Sequence, residues 1–167
     1  MSHVEIIVAL VALQRFAELI YAARNTRALL RRGAVEHGRG HYWMLVVVHA
    51  AWLMAILLAV PGDAPIAWLP LGLFVVLQLL RLWVIASLGP FWTTRIVSLP
   101  GAPLVRRGPY RFMRHPNYAI VIGELALLPL VFGAWRLAIV FTLLNLAVLT
   151  WRIRVEEQAL APRRAGG

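Results

Sequence analysis

Five stretches of this chain are apolar for long enough to cross a lipid bilayer, and no other feature restricts its fold as much. A helix rises about 1.5 Å per residue and the hydrocarbon core is about 30 Å thick, so about 20 apolar residues make a span. Candidate spans lie at 4–23, 42–60, 66–88, 118–133 and 137–151. Pro61-Gly62-Asp63-Ala64-Pro65 turns the chain between the second and third. The fourth and fifth are joined so closely, at Gly133-Ala134-Trp135-Arg136, that they form an antiparallel hairpin. Apolar residues make up 61% of the 167 and charged ones 14%, a balance that excludes an ordinary soluble domain. The expected architecture is an all-α integral membrane protein with about five transmembrane helices in one domain over 1–167. Helices one to three occupy 1–88, a long loop 89–117, the helical hairpin 118–151 and a tail 152–167. The chain has no cysteine, which excludes disulfides and thiolate metal sites. Residues 1–23 do not read as a cleaved leader, because Glu5 replaces a basic start and Gln14, Arg15 and Glu18 interrupt the apolar run.

The basic residues sort onto one side. All 17 are arginine, and with seven acidic residues they give a formal charge of +10. Arg24, Arg27, Arg31, Arg32 and Arg39 lie between helices one and two, and Arg95, Arg106, Arg107, Arg111 and Arg114 between helices three and four. Arg152, Arg154, Arg163 and Arg164 follow helix five. By the positive-inside rule both long loops and the C-terminus are expected in the cytoplasm, in a bacterial inner membrane. This placement accounts for the charge without a nucleic-acid partner.

Ionisable groups inside a span are costly and usually face the bundle interior. Gln14, Glu18, Tyr21 and Asn25 fall at i, i+4, i+7 and i+11, one stripe of helix one. Gln78 and Arg81 pair on helix three, and Asn117 and Glu124 share a face of helix four. Thr142, Asn145, Arg152 and Glu156 form a stripe that runs along helix five and its extension toward the loops. Gln14, Gln78, Thr142 and Asn145 read as interhelical glue. Arg15 with Glu18, and Arg154 with Glu157, are spaced as i, i+3 ion pairs. His41 and His49 read as packed or solvated, and five scattered histidines give no paired metal-ligand spacing.

The segment at 88–118 reads LGPFWTTRIVSLPGAPLVRRGPYRFMRHPNY. A loop of this length without regular structure is usually functional or disordered, and its aromatics Phe91, Trp92, Tyr110, Phe112 and Tyr118 argue against disorder. Pro116 suits the first turn of helix four, which makes His115 the capping position beside unpaired backbone donors.

Gly108-Pro109-Tyr110, Arg111 to Tyr118 (RFMRHPNY) and Arg152 to Leu160 (RIRVEEQAL), in that order, resemble the isoprenylcysteine carboxyl methyltransferase family. That family is related to the phospholipid N-methyltransferases. The likeness covers 80–160, including Ser87-Leu88-Gly89 and Phe91-Trp92-Thr93, and departs at Gly89-Pro90. It implies a membrane-embedded enzyme that uses S-adenosylmethionine without a dinucleotide-binding fold, and the chain indeed has no G-x-G-x-x-G after a strand pattern. The loop would then form the cofactor site, with His115, Pro116, Asn117 and Tyr118 against the cofactor. One carboxylate of Glu156 and Glu157 would hold its amino-acid or ribose portion. Arg152 matches the arginine that addresses the substrate and, with Glu156, would be catalytic; Trp92 and Glu124 are the other substrate-binding candidates. No metal is implied.

The resemblance implies carboxyl methylation of an isoprenylcysteine-like, lipophilic acceptor in contact with membrane lipid. O-methylation of an alkylpyrone or long-chain phenol, with Glu124, Glu156 or His115 assisting deprotonation, and N-methylation of a phospholipid amine are the alternatives. A non-enzymatic membrane scaffold or transporter subunit is the reading from a different class.

Overall fold

The computed structural model describes residues 1–38, 40 and 42–165, the last four by backbone alone. Arg39 and His41, and the side chains of Arg163 and Arg164, lie outside the described residues. Among the described residues five α-helices follow one another: α1 (His3–Arg31), α2 (Tyr42–Ala59), α3 (Trp68–Leu88), α4 (Pro116–Val131) and α5 (Trp135–Ala165). Four of them, α1, α2, α3 and α5, are long and apolar enough to cross a membrane; α4 is apolar but only 16 residues long. The chain is a helical integral membrane protein.

Local sequence sets most helix ends. Ser2 caps α1, its hydroxyl accepting from the Glu5 amide at 3.2 Å while the Glu5 carboxylate accepts from the Ser2 amide at 2.9 Å. The α1 helix outlasts its apolar stretch, running to Arg31 instead of ending near residue 23, because Ala, Leu and Arg are good helix formers and no breaker comes before Gly33. Pro116 opens α4 and His115 is its N-cap residue. Residues 152–165 form no separate tail but continue α5, which carries Arg152 and Glu156 on one rigid rod.

An apolar core fills the end of the bundle away from the long loops, where Val4, Val8, Trp52, Ile56, Leu125 and Leu128 pack together. Gly123 lets α4 approach α3 closely: a Cβ there would stand 2.7 Å from Leu77 Cδ1.

The loop at 88–118 departs from the irregular coil expected of it. Two strands, β1 (Val35–His37) and β2 (Ile96–Ser98), pair antiparallel with Glu36 opposite Val97, so the two arginine-rich loops are fastened to each other. Each strand has three residues, too few for a period-2 pattern, and the partner lies about sixty positions away; neither segment announces the pairing alone. Arg95 braces the ribbon, its Nη1 3.1 Å from the Glu36 carboxylate and its guanidinium 5.3 Å above the Tyr42 ring.

Candidate active site

Between this ribbon and the helices lies a cavity of about 1010 Å³. Its wall combines Trp92 and Thr94 from the loop, Tyr110, Arg111, Arg114 and His115 before α4, Asn117 and Tyr118 on the first turn of α4, and Arg152 and Glu156 on α5. Residues separated by more than sixty positions thus meet at one end of the bundle.

Tyr118 is the centre of the polar wall. Its hydroxyl donates to Glu156 Oε2 and accepts from Arg152 Nε at 2.9 Å, so the phenol links the two α5 side chains that the sequence placed on one stripe. A second guanidinium nitrogen, Nη2, donates to the Thr94 carbonyl at 2.6 Å. Thr94 is itself positioned by Tyr42, the two hydroxyls being 3.1 Å apart. The Arg152 fork is therefore fixed from both α4 and the loop, with its Cζ 6.0 Å from the Tyr118 ring centre.

His115 stacks on Tyr118 with ring centres 5.3 Å apart and planes 13° from parallel. Its Nδ1 is 3.8 Å from Glu156 and its Nε2 is 3.6 Å from Glu157. Glu157 also lies 3.8 Å from Arg114, so it faces the loop in addition to the Arg154 partner its spacing proposes. Three buried polar atoms here have no hydrogen-bond partner among the described residues: His115 Nε2, Asn117 Oδ1 and Trp92 Nε1. Such atoms cost free energy unless water or a ligand joins them. Burial, aided by the Glu156 charge, pushes the Tyr110 phenol above its ordinary range, so Tyr110 stays a neutral hydrogen-bond donor.

The loop keeps its course through close contacts. Asn25 on α1 donates to the carbonyls of Gly89 at 3.0 Å and Trp92 at 2.9 Å, and Arg107 Nε donates to the Ser87 carbonyl at 2.8 Å. Gly108, in the GPYR segment, sits at φ +57° with Ser87 Cβ 2.9 Å from where its own Cβ would be. Gly108→Ala is expected to displace the segment bearing Tyr110 and lower activity at least about tenfold, since both the torsion and the space are forbidden to alanine. Ligand binding and turnover of the purified variant check this.

The remaining candidates distribute unevenly. Pro116 is buried as the first residue of α4 and is not on the cavity wall. Glu124 is 1% exposed and also off the wall; Arg15 Nη2 at 2.8 Å, Gln78 Nε2 at 2.9 Å and Arg81 Nη1 at 3.0 Å hold it. Gln14 joins Gln78 at 2.9 Å as interhelical glue, whereas Thr142 Oγ1 and both amide atoms of Asn145 have no hydrogen-bond partner among the described residues. Tyr21, read into the helix-one stripe, is 40% exposed and off the polar cluster. His49 is packed, with Nδ1 2.8 Å from the Leu45 carbonyl. Sequence reading passed over Thr94 and Tyr42, because one acts through a backbone carbonyl and the other by holding it; only the clustering of polar and aromatic residues in FWTTR pointed there.

The fold and the site define a membrane-embedded helical bundle with a polar chamber at its arginine-rich end. Residues 69–162 match the isoprenylcysteine carboxyl methyltransferase (ICMT) family, and the chain belongs to it. Membership points to a membrane methyltransferase. The chain is 36% identical over 160 residues to the uncharacterized protein YpbQ of Bacillus subtilis (strain 168), covering 93% of this chain and 95% of that one. It is 28% identical over 166 residues to an uncharacterized protein of Haemophilus influenzae, covering 96% of each. No solved structure matches the chain.

Proposed function

We propose that this protein transfers the methyl group of S-adenosylmethionine to an oxygen anion on a long lipophilic acceptor, with the chamber facing the cytoplasm of a bacterial inner membrane. The acceptor that fits best is a carboxylate of the isoprenylcysteine kind. The observation that carries the reading is the Tyr118 hydroxyl held between the Glu156 carboxylate and the Arg152 guanidinium on the wall of a cavity that apolar side chains such as Leu45, Leu53 and Val121 also line.

The residues present fit the cofactor. His115 Nε2, Asn117 Oδ1 and Trp92 Nε1 are unpartnered polar atoms in want of hydrogen-bonding groups, and Glu156 and Glu157 supply negative charge for an amino group or ribose hydroxyls. His115, Asn117, Tyr118 and Glu156 on the wall would hold it, with Glu157, off the wall but 3.6 Å from His115 Nε2, beside them and Pro116 setting the turn. When bound, S-adenosylmethionine supplies a methyl group on a cationic sulfur, whose carbon–sulfur bond breaks as the new oxygen–carbon bond forms.

What the chain must add is orientation. A carboxylic acid has a reference pKa of about 4, so the acceptor is already anionic at neutral pH and needs no base. The Arg152 fork, fixed by Tyr118 and Thr94, can grip one carboxylate oxygen and leave the other free to react. Such alignment can contribute roughly 7–11 kcal/mol to a displacement that must proceed in line. Glu156, hydrogen-bonded through Tyr118, offsets the Arg152 charge while the site is empty of acceptor.

A hydroxyl acceptor on an enolic or phenolic ring is the second reading, favoured by the open Nε2 of His115 beside Glu157, which places a proton acceptor at the same site. Membrane lipid extract incubated with the protein and methyl-labelled S-adenosylmethionine separates the two. A carboxyl ester releases its label in mild base and an aryl or enol ether keeps it; the absence of any lipophilic labelled product would overturn both. Glu156→Gln is expected to weaken S-adenosylhomocysteine binding by about tenfold, the scale of one charge-assisted hydrogen bond. Calorimetry in detergent measures it, and unchanged affinity would move the contact to Glu157.

A further inference from the structure

The cavity continues below the level at which Tyr118 and Arg152 stand. Tyr118 and Glu124 are six residues apart on α4, so the charged cluster around Glu124 lies about 9 Å deeper along the helix axis. At that depth Arg15, Glu18, His49 and Arg81 face the cavity from α1, α2 and α3. The proposed methyl transfer uses none of them.

Their pairing defines what they can bind. Arg15 bridges Glu18 and Glu124 at 2.8 Å each, and Arg81 bridges the same two carboxylates at 2.9 and 3.0 Å. Two positive and two negative charges close into a neutral ring, which has no net charge for an ionic ligand. Arg15 Nε is a donor left over, buried and without a hydrogen-bond partner among the described residues. On α2, His49 Nδ1 is 2.8 Å from the Leu45 carbonyl. A carbonyl only accepts, so the neutral ring keeps its proton on Nδ1 and leaves Nε2 as an acceptor. Leu45, Leu53 and Val121 supply apolar wall around them. A donor and an acceptor beside a ring of no net charge and an apolar wall match a neutral group able to do both, and a hydroxyl is the smallest such group.

We infer that Arg15 and His49 form a second recognition station, which takes a hydroxyl borne partway along the lipophilic chain of the acceptor. The inference rests on the proposed methyl transfer for the nature of the cavity's ligand and makes that ligand a functionalised chain instead of a plain hydrocarbon tail.

The test compares hexadecanoic acid with its isomers hydroxylated at mid-chain and at the far end, using the full chain in lipid nanodiscs. Thermal stabilisation by each acid is measured without cofactor, and methyl transfer from labelled S-adenosylmethionine is measured separately. The mid-chain hydroxy acid is expected to bind about tenfold more tightly than the plain acid, the value of one or two hydrogen bonds away from water, and the far-end isomer to gain nothing. His49→Phe is expected to cut that preference to below about twofold, and His49→Gln, whose amide can accept, to keep part of it. Arg15→Lys, which keeps the charge but lacks Nε, should lower it as well. Equal binding of plain and mid-chain acids by the native chain, or a preference that survives His49→Phe, overturns the station. If the preference is present but neither acid is methylated, the station stands and the carboxylate reading falls.

Discussion

Arg152→Ala is expected to reduce methyl transfer by about 10²- to 10³-fold, the range seen when one preorganised charge-stabilising donor is removed from an active site. The bonds of this side chain stay within the chamber wall. It is 8% exposed and its bonds go to Tyr118 and Thr94, both on the chamber wall. Removing it leaves Tyr118 joined to Glu156 and His115 stacked on Tyr118, so S-adenosylhomocysteine affinity should change less than about threefold, under 1 kcal/mol. Arg152→Lys is expected to recover little, since an ammonium cannot replace a planar fork that bonds in two directions at once. Turnover and S-adenosylhomocysteine affinity lost in equal measure would show that Arg152 holds the cofactor and not the acceptor.

The second large effect falls on stability. Glu124→Ala leaves Arg15 and Arg81 to share the Glu18 carboxylate inside the bundle, and breaking a buried pair in this way costs about 3–5 kcal/mol. For a chain of this size that corresponds to roughly a 10 °C fall in melting temperature, measurable in detergent by light scattering or intrinsic fluorescence. The penalty is that of stranded charge, so replacing Arg15, Glu18, Arg81 and Glu124 together by apolar residues of similar volume should restore most of the loss. A Glu124→Ala protein that melts with the native one would show that the ring does not hold α1, α3 and α4 together.

Helix positions and the stripes on them were legible because hydropathy and spacing are local properties. Arg152 and Glu156 could be placed together from their four-residue separation alone, and His115 and Pro116 from the chemistry of a helix start. What could not be read locally is which stripe meets which. Glu124 looked like a group for substrate because an acidic residue within a span is unusual; its partners Arg15 and Arg81 sit on two other helices, and only the packing shows the three meeting. Tyr118 gave no hint that its hydroxyl joins Arg152 to Glu156. The β1–β2 ribbon was invisible for the same reason, being a pairing of two short segments across two spans. Tyr42 and Thr94, which set the Arg152 fork, belong with it.

The 2.8 Å contact between Arg15 and Glu18 also bears on how the protein is made. A lone arginine or aspartate at mid-span adds about 2.5–3.5 kcal/mol to the cost of entering the bilayer from the insertion machinery. Because the first helix carries both signs one turn apart, it can enter as an electrically neutral unit before any later segment has been synthesised. Arg81 then arrives to find Glu18 waiting as a counter-ion, and Glu124 completes the set last. The order of synthesis thus never requires a naked charge from the earliest span to wait in lipid.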